Sequence, residues 1–179
     1  MANKEFDEFL KRQASHSQSK KIDWAAKRSE WIEYLDRFYK TIESYLKSYV
    51  DEGKIKISYY KKEIFEQYIG EYEAQTATIS LGANRLKLDP IGTNLIGSKG
   101  RVDLIGPNGK IKFVLVDSAA SAPKISARVY IKGEKPPSKE KLPEVTSWAW
   151  KIATQPPHIK YYPLVEESFY DALMEVSNG

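Results

Sequence analysis

The chain has 179 residues, of which 41% are hydrophobic and 29% are charged, the balance of a folded globular protein rather than a disordered one. It contains no cysteine, which excludes disulfides, thiol catalysis and cysteine-ligated zinc. The net charge is +4, and the basic residues are scattered rather than clustered, so nucleic acid is not the favoured partner. No apolar run approaches the roughly 20 residues that span a bilayer, and the charged amino terminus lacks a signal-peptide core. We therefore expect a cytoplasmic protein without a membrane partner.

The amino-terminal part of the chain predicts helices. Residues 1–20 are expected to form a short helix over 3–13 and a flexible polar linker over 14–20. A long amphipathic helix is predicted over 21–53, with Asp23 as its N-cap and Gly53 at its end. Its aromatic stripe contains Trp24, Trp31, Leu35, Phe38, Ile42, Tyr45 and Tyr49. We expect this stripe to pack on the chain's own sheet; the alternative is that a protein partner or a second copy of the chain covers it.

Residues 54–179 predict a β-rich domain that ends in a helix. Alternating apolar and polar residues predict strands over 55–60, 72–81, 86–88, 101–105, 110–116, 125–131 and 148–152, the last of which 158–162 resumes after an interruption at 155–157. Residues 61–69 fit a helical turn as well as a bent strand, and Pro90 is expected to end its strand. Residues 133–146 contain three prolines and predict an exposed loop. The final helix, over 165–176, has a buried stripe of Phe169, Ala172, Leu173 and Val176.

The clearest local signal is a β-hairpin at Asn108-Gly109, which lies between two β-rich runs. Asn-Gly accepts the positive φ angles of a type I′ turn, whose twist matches that of the flanking strands. A two-residue loop at this dipeptide would set Leu104 opposite Phe113 and Val102 opposite Leu115.

Strand follows strand through short turns, without helical crossovers, which favours an antiparallel meander over a parallel sheet. We predict an α+β fold with a long N-terminal helix, about seven strands that form a barrel or a strongly bent sheet, and a C-terminal helix. This element order resembles that of pleckstrin-homology-like barrels, a resemblance that concerns the fold and implies no function.

Residues 92–99 nearly spell the phosphate-binding P-loop. That motif requires a lysine before the Ser or Thr, and a helix that begins there. Here Ser98 precedes Lys99 and a strand follows, so we expect no nucleotide site. A weaker anion contact through Lys99 and Arg101 stays open.

The hairpin also resembles the metal-binding hairpin of restriction-endonuclease-like nucleases, which carry one Asp on the first strand and an acidic-x-Lys triplet at the end of the next. Asp103 and Asp117 match the acidic positions, whereas Ala119 stands in the place of the lysine. The resemblance implies a degenerate or metal-dependent nuclease-like or nucleic-acid-binding domain with a metal at Asp103 and Asp117. Ordinary strand-face ion pairs are the alternative reading of these residues.

Aromatic residues near the carboxyl end offer a second kind of site. Trp148 and Trp150 share one face of a predicted strand, and Tyr161 lies in the next; core packing and an aromatic binding platform are both open. The two histidines, His16 and His158, are too isolated for a metal site or a catalytic triad. We therefore predict a non-catalytic protein–protein interaction module of the adaptor, immunity or assembly-factor type, without a cofactor. Its candidate binding residues are Lys99, Arg101, Trp148, Trp150 and Tyr161.

Overall fold

A computed structural model describes residue 7 and residues 22–93, 97–123 and 145–177. The predicted short helix and linker over 1–20 and the strand predicted over 125–131 lie outside these residues, as does most of the loop predicted over 133–146. In chain order the elements are α1 (Trp24–Asp51), β1 (Ile55–Glu66), β2 (Gly70–Leu81), β3 (Asn84–Gly92), β4 (Gly100–Gly106), β5 (Gly109–Asp117), β6 (Trp148–Ala153), β7 (Tyr161–Pro163) and α2 (Glu166–Ser177). Neither helix is long and apolar enough to cross a membrane.

The seven described strands form one antiparallel sheet in the order β1-β2-β3-β4-β5-β6-β7. The predicted meander is confirmed. The predicted barrel is wrong, and with it the resemblance to pleckstrin-homology-like barrels, because β1 and β7 are the two edges of an open sheet. A barrel buries its apolar face by closing on itself, whereas here α1 and α2 cover that face from outside.

Helix α1 covers Trp24–Asp51 rather than all of 21–53, with the predicted cap and terminating glycine next to its two ends. The Asp23 carboxylate accepts a hydrogen bond from the Ala26 backbone N–H at 2.9 Å, as an N-cap should. Gly53, just beyond the helix, has a φ of +72°, a conformation that favours glycine. The predicted roles of Asp23 as N-cap and Gly53 as the terminating residue are therefore confirmed.

The aromatic stripe of α1 packs on the sheet, which confirms the internal alternative. The Phe38 ring lies 4.8 Å from the Trp150 ring and 5.5 Å from the Phe113 ring, centroid to centroid. The buried residues of the helix are Trp31, Leu35, Phe38, Tyr39, Ile42 and Leu46. They share one core with Phe113 and with the buried stripe of α2, which is the predicted Phe169, Ala172, Leu173 and Val176.

The β4–β5 hairpin exists, but its turn and register differ from the prediction. Gly106 pairs with Gly109, so the two turn residues are Pro107 and Asn108, and Val102 is opposite Phe113. Because proline fixes φ near −65°, Pro107 cannot adopt the positive φ of a type I′ turn. The partner of each β4 residue on β5 is two residues from the predicted one, so the apolar side chains stay on the predicted face of the sheet. Gly109 has the positive φ, +126°.

The hairpin turn also caps α2. The backbone N–H of Asn108 donates to the Val176 carbonyl at 3.0 Å, and its side-chain amide donates to the Glu175 carbonyl at 3.0 Å. The last carbonyls of a helix lack intrahelical partners. Asn108 is therefore used for helix capping rather than for a left-handed turn.

Two further strand boundaries are decided by the structure. Residues 61–66 continue β1, which is the strand alternative of the two that the sequence left open. Pro90 lies inside β3 rather than at its end, beyond the last β3 residue that pairs with β2 and beside a register shift against β4. Proline is tolerated in a strand where ladder pairing is interrupted in this way.

The packing of α1 on the sheet can be tested with Phe38→Ala. Its side chain is fully buried between aromatic rings, so we expect the free energy of unfolding to fall by about 3–5 kcal/mol. Lys40→Ala, on the exposed side of the same helix, is the control and should change it by about 0.5 kcal/mol or less. Urea denaturation of both variants measures the difference, and equal stabilities would contradict the internal packing.

Candidate binding pocket

A cavity of about 590 Å³ lies where the start of α1 meets the β1–β2 turn, the loop before β4 and the start of β6. We call it the aromatic pocket, because six aromatic side chains line it: Trp24, Trp31, Tyr34, Tyr68, Trp148 and Tyr161. Its size is within the range of small-ligand sites, roughly 300–1,000 Å³.

Helical spacing and the cap of α1 position one wall of the pocket. Trp24 is in the first helical turn, so the Asp23 cap fixes its place. Its ring stacks on the ring of Tyr68 in the β1–β2 turn, with centroids 5.2 Å apart and planes 16° from parallel. Trp31 lies seven residues further along, on the same face of the helix, and packs directly on the backbone of Gly100.

Lys99 and Trp148 form a second wall. The backbone N–H of Lys99 donates to the Leu115 carbonyl at 2.8 Å, which fixes the loop before β4. The Lys99 ammonium lies 4.8 Å from the Trp148 ring centroid and 5.7 Å from that of Tyr34. It also forms an ion pair with Glu30 of α1. The pocket thus already contains one cation held by two aromatic faces and a carboxylate.

Glu66, the last residue of β1, contributes a buried carboxylate to the pocket. Its side chain accepts a hydrogen bond from the Tyr72 hydroxyl at 2.6 Å, and from the Thr93 backbone N–H at 3.0 Å and hydroxyl at 2.9 Å. Burial and the neighbouring Glu66 both raise the pKa of Tyr72. Gly92 has a φ of +125°, and a Cβ there would lie 2.8 Å from Glu66 Oε1. These hydrogen bonds come from neutral donors and leave the Glu66 charge without a cation among the contacts of the described residues.

The pocket unites three of the five predicted binding residues, Lys99, Trp148 and Tyr161. Trp150 belongs to the core instead, where it contacts Phe38 and donates its indole N–H to the Tyr34 carbonyl at 3.3 Å. Tyr161 lines the pocket and also packs on the small apolar cluster of Val114, Val116 and Ala153.

Arg101 and Lys99 direct their side chains to opposite faces of the sheet, so the two do not form the anion contact that the sequence left open. Its guanidinium donates to Asp103 at 2.7 and 3.0 Å on the sheet face away from α1. Lys110 also pairs with Asp103, at 3.3 Å. Asp103 is 1% exposed. A buried carboxylate needs cationic partners, which explains its ion pairs with Arg101 and Lys110.

The metal site implied by the nuclease-like hairpin is not formed. Asp103 is opposite Lys112 on the face away from α1. Asp117 is on the same face of β5 as Phe113 and Leu115, which is the face that α1 covers. Side chains on opposite faces of a sheet cannot share an ion. Within the described ranges, no three His, Asp or Glu side chains come together in a way that could hold a metal.

No protein-family model, curated protein sequence or solved structure matches this chain. Most contributors to the pocket were not among the predicted binding residues, and these include Trp24, Tyr34, Tyr68 and Glu66. Trp24 was visible as part of the helix stripe, but its contact with Tyr68 joins residues 44 positions apart and has no local signal.

The contact between Gly100 and Trp31 yields a prediction. A methyl group at Gly100 would overlap the six-membered ring of Trp31, so Gly100→Ala should cost about 1–3 kcal/mol of stability. Trp31→Phe shortens the ring, and in that background the added methyl should cost much less. A double-mutant cycle in urea measures this coupling, and additive effects of the two changes would contradict the contact.

Asp89, on the face away from α1, yields a prediction for acid pH. Burial acts to raise its pKa, but Lys62 at 2.9 Å and Lys87 at 3.0 Å outweigh burial and hold the pKa below its ordinary value. A lowered folded pKa means that Asp89 stabilises the fold above its unfolded pKa, and that this contribution is lost as pH falls through the folded pKa.

Lys62→Met should therefore lower the free energy of unfolding at neutral pH by about 1 kcal/mol, and this difference should disappear as pH falls through the folded pKa of Asp89. Lys47→Met removes an exposed helix pair with Asp51 and is the control. Urea denaturation across pH provides the measurement. A loss of stability that is the same at all pH values would show that Lys62 acts by packing rather than by its charge.

Proposed function

We propose that the chain is a non-catalytic binding module whose aromatic pocket holds a lysine or arginine side chain of a partner protein. Most of the aromatic stripe of α1 is buried against the sheet, so the proposed partner surface is the pocket at the start of that helix. A cytoplasmic location, expected from the composition, belongs to the same proposal.

The observation that carries the proposal is the environment of Lys99. A cation is attracted to the face of an aromatic ring within about 6 Å, and the Lys99 ammonium meets two such faces and the Glu30 carboxylate. A second ammonium, from Lys27, lies 5.0 Å from the Trp24 ring at the rim. The pocket therefore has the chemistry that accommodates basic side chains, and the chain's own lysines use part of it.

Glu66 supports an additional cation in the same space. Its carboxylate lines the pocket, is 8% exposed, and is hydrogen-bonded by neutral groups. A guanidinium or ammonium beside it would gain a charge-assisted hydrogen bond, which is stronger than one between neutral groups.

The nuclease-like alternative is not proposed. Asp103 and Asp117 lie on opposite faces of the sheet, and Asp103 is neutralised by Arg101 and Lys110. Stacking of a nucleic-acid base on the pocket's rings would bring a phosphate towards Glu66, whose described hydrogen bonds come from neutral donors and whose carboxylate would repel it.

The test is a titration with two capped tripeptides, acetyl-Ala-Arg-Ala-amide and the same peptide with citrulline, which has the shape of arginine without its charge. We expect the arginine peptide to shift the indole N–H signals of Trp24 and Trp148 in NMR spectra. The citrulline peptide should bind at least about tenfold more weakly, a difference of about 1.4 kcal/mol. Trp150, which does not line the pocket, is the internal control.

Glu66→Gln should abolish most of this discrimination while keeping the shape of the side chain and its ability to accept hydrogen bonds. A thermal melt of this variant separates lost binding from lost folding. Equal binding of the two peptides, or shifts that do not respond to Glu66→Gln in a folded protein, would refute the proposal.

A further inference from the structure

The outer edge of β1 is a second candidate binding surface. The strand has 12 residues and is hydrogen-bonded to β2 on one side, and no other strand of the described part of the chain pairs with it. An exposed edge of this length presents a row of backbone donors and acceptors that can pair with another strand.

Large apolar side chains are concentrated along this edge. Tyr59, Tyr60 and Phe65 of β1 are 36%, 46% and 77% exposed, and Tyr68 in the following turn is 60% exposed. Aromatic side chains next to an open edge favour its use as an interface.

We propose that two copies of this chain pair through their β1 strands, antiparallel and about a two-fold axis at Lys62. Residues 58–66 of one copy would then lie opposite residues 66–58 of the other. The interface is isologous, as in most homodimers, and it extends the seven-stranded sheet across both copies. This proposal does not depend on the aromatic pocket.

Charge complementarity selects this register. In an antiparallel pair, directly opposite residues have their side chains on the same face of the sheet. A two-fold axis between two identical strands meets this condition only when it passes through a residue position and not between two residues. With the axis at Lys62, Lys61, which pairs with Glu73 within its own sheet, would also meet the second copy's Glu63, and the two-fold axis forms this pair twice. Tyr59, whose hydroxyl donates to Glu43, would lie opposite the second copy's Phe65, also twice. Opposite charges and aromatic pairs in these cross-strand positions are stabilising.

The neighbouring registers are less favourable. An axis at Lys61 or at Glu63 sets two like charges directly opposite each other. An axis at Tyr60 forms no opposite-charge pair and sets Glu63 opposite Ile57. An axis at Ile64 pairs a run of five residues only.

The register at Lys62 brings the two Lys62 residues together, but their ammonium groups lie elsewhere. Each Lys62 ammonium donates to Asp89 at 2.9 Å and to the Pro90 carbonyl at 3.0 Å, across its own sheet. These contacts point the two charges away from the axis.

Charge reversal tests the register. Sedimentation equilibrium of the full chain should give a dimer, and Lys61→Glu or Glu63→Lys should each weaken association at least about tenfold, because each change creates two like-charge pairs. The double variant Lys61→Glu/Glu63→Lys should restore the dimer. Lys56→Glu, in the same strand but outside the paired residues, is the control and should leave it unchanged.

A second experiment uses the absence of native cysteine. Lys62→Cys should form an intermolecular disulfide on mild oxidation, because residue 62 faces itself across the axis at a Cα separation of about 4.5–5.5 Å. Ser58→Cys is exposed on the same strand but lies opposite residue 66 of the other copy, so it should not crosslink. A monomer at all concentrations, a dimer indifferent to Lys61→Glu, or equal crosslinking at positions 58 and 62 would each overturn the proposal. Thermal melts identify any variant that fails to fold, and the double variant then decides the outcome.

Discussion

The packing of α1 on the sheet is the interaction on which the rest of the structure depends. An open seven-stranded sheet has one apolar face that it cannot cover by itself, and Trp31, Phe38 and Trp150 meet at the centre of that face. Burial of such side chains is the main favourable term in folding, at about 25 cal/mol per Å² of apolar surface. With the helix in place, the sheet has no need to close, and its two edges stay separate.

The opposite face is stabilised differently. Asp89 and Asp103 are directly opposite each other on β3 and β4, a repulsive arrangement by itself. Two basic side chains neutralise each of them: Lys62 and Lys87 at Asp89, Arg101 and Lys110 at Asp103. A carboxylate with little exposure needs such partners because desolvation otherwise penalises its charge. Asp103, one of the two carboxylates that resemble a metal site, is therefore explained by its ion pairs with Arg101 and Lys110.

Strand β1 connects the two proposed surfaces. Its last residue, Glu66, supplies the pocket's buried carboxylate, and Tyr68 in the following turn stacks on Trp24. The same strand carries Lys61, Glu63 and Phe65, the residues of the proposed edge pairing. The two proposals are nevertheless separable, since Glu66 points into the pocket and the paired charges do not.

The sequence by itself determined the local elements of this protein. Periods of 3.6 and 2 identified α1, α2 and most strands, and the capping residue Asp23 and Gly53 identified the ends of α1, because these signals come from neighbours in the chain. The sequence misplaced the turn of the hairpin because Asn108 hydrogen-bonds to the end of α2. Its partner there, Glu175, is 67 positions away in the chain.

The tertiary structure alone decided whether the sheet closes, which charged residues meet, and where the pocket lies. Lys99 and Glu30, or Trp24 and Tyr68, are brought together by the docking of α1 across the sheet. Lys99 and Arg101, only two residues apart, lie on different sides of the sheet. Side-chain direction at a strand end depends on the packed neighbours, and that dependence is absent from any local pattern of residues.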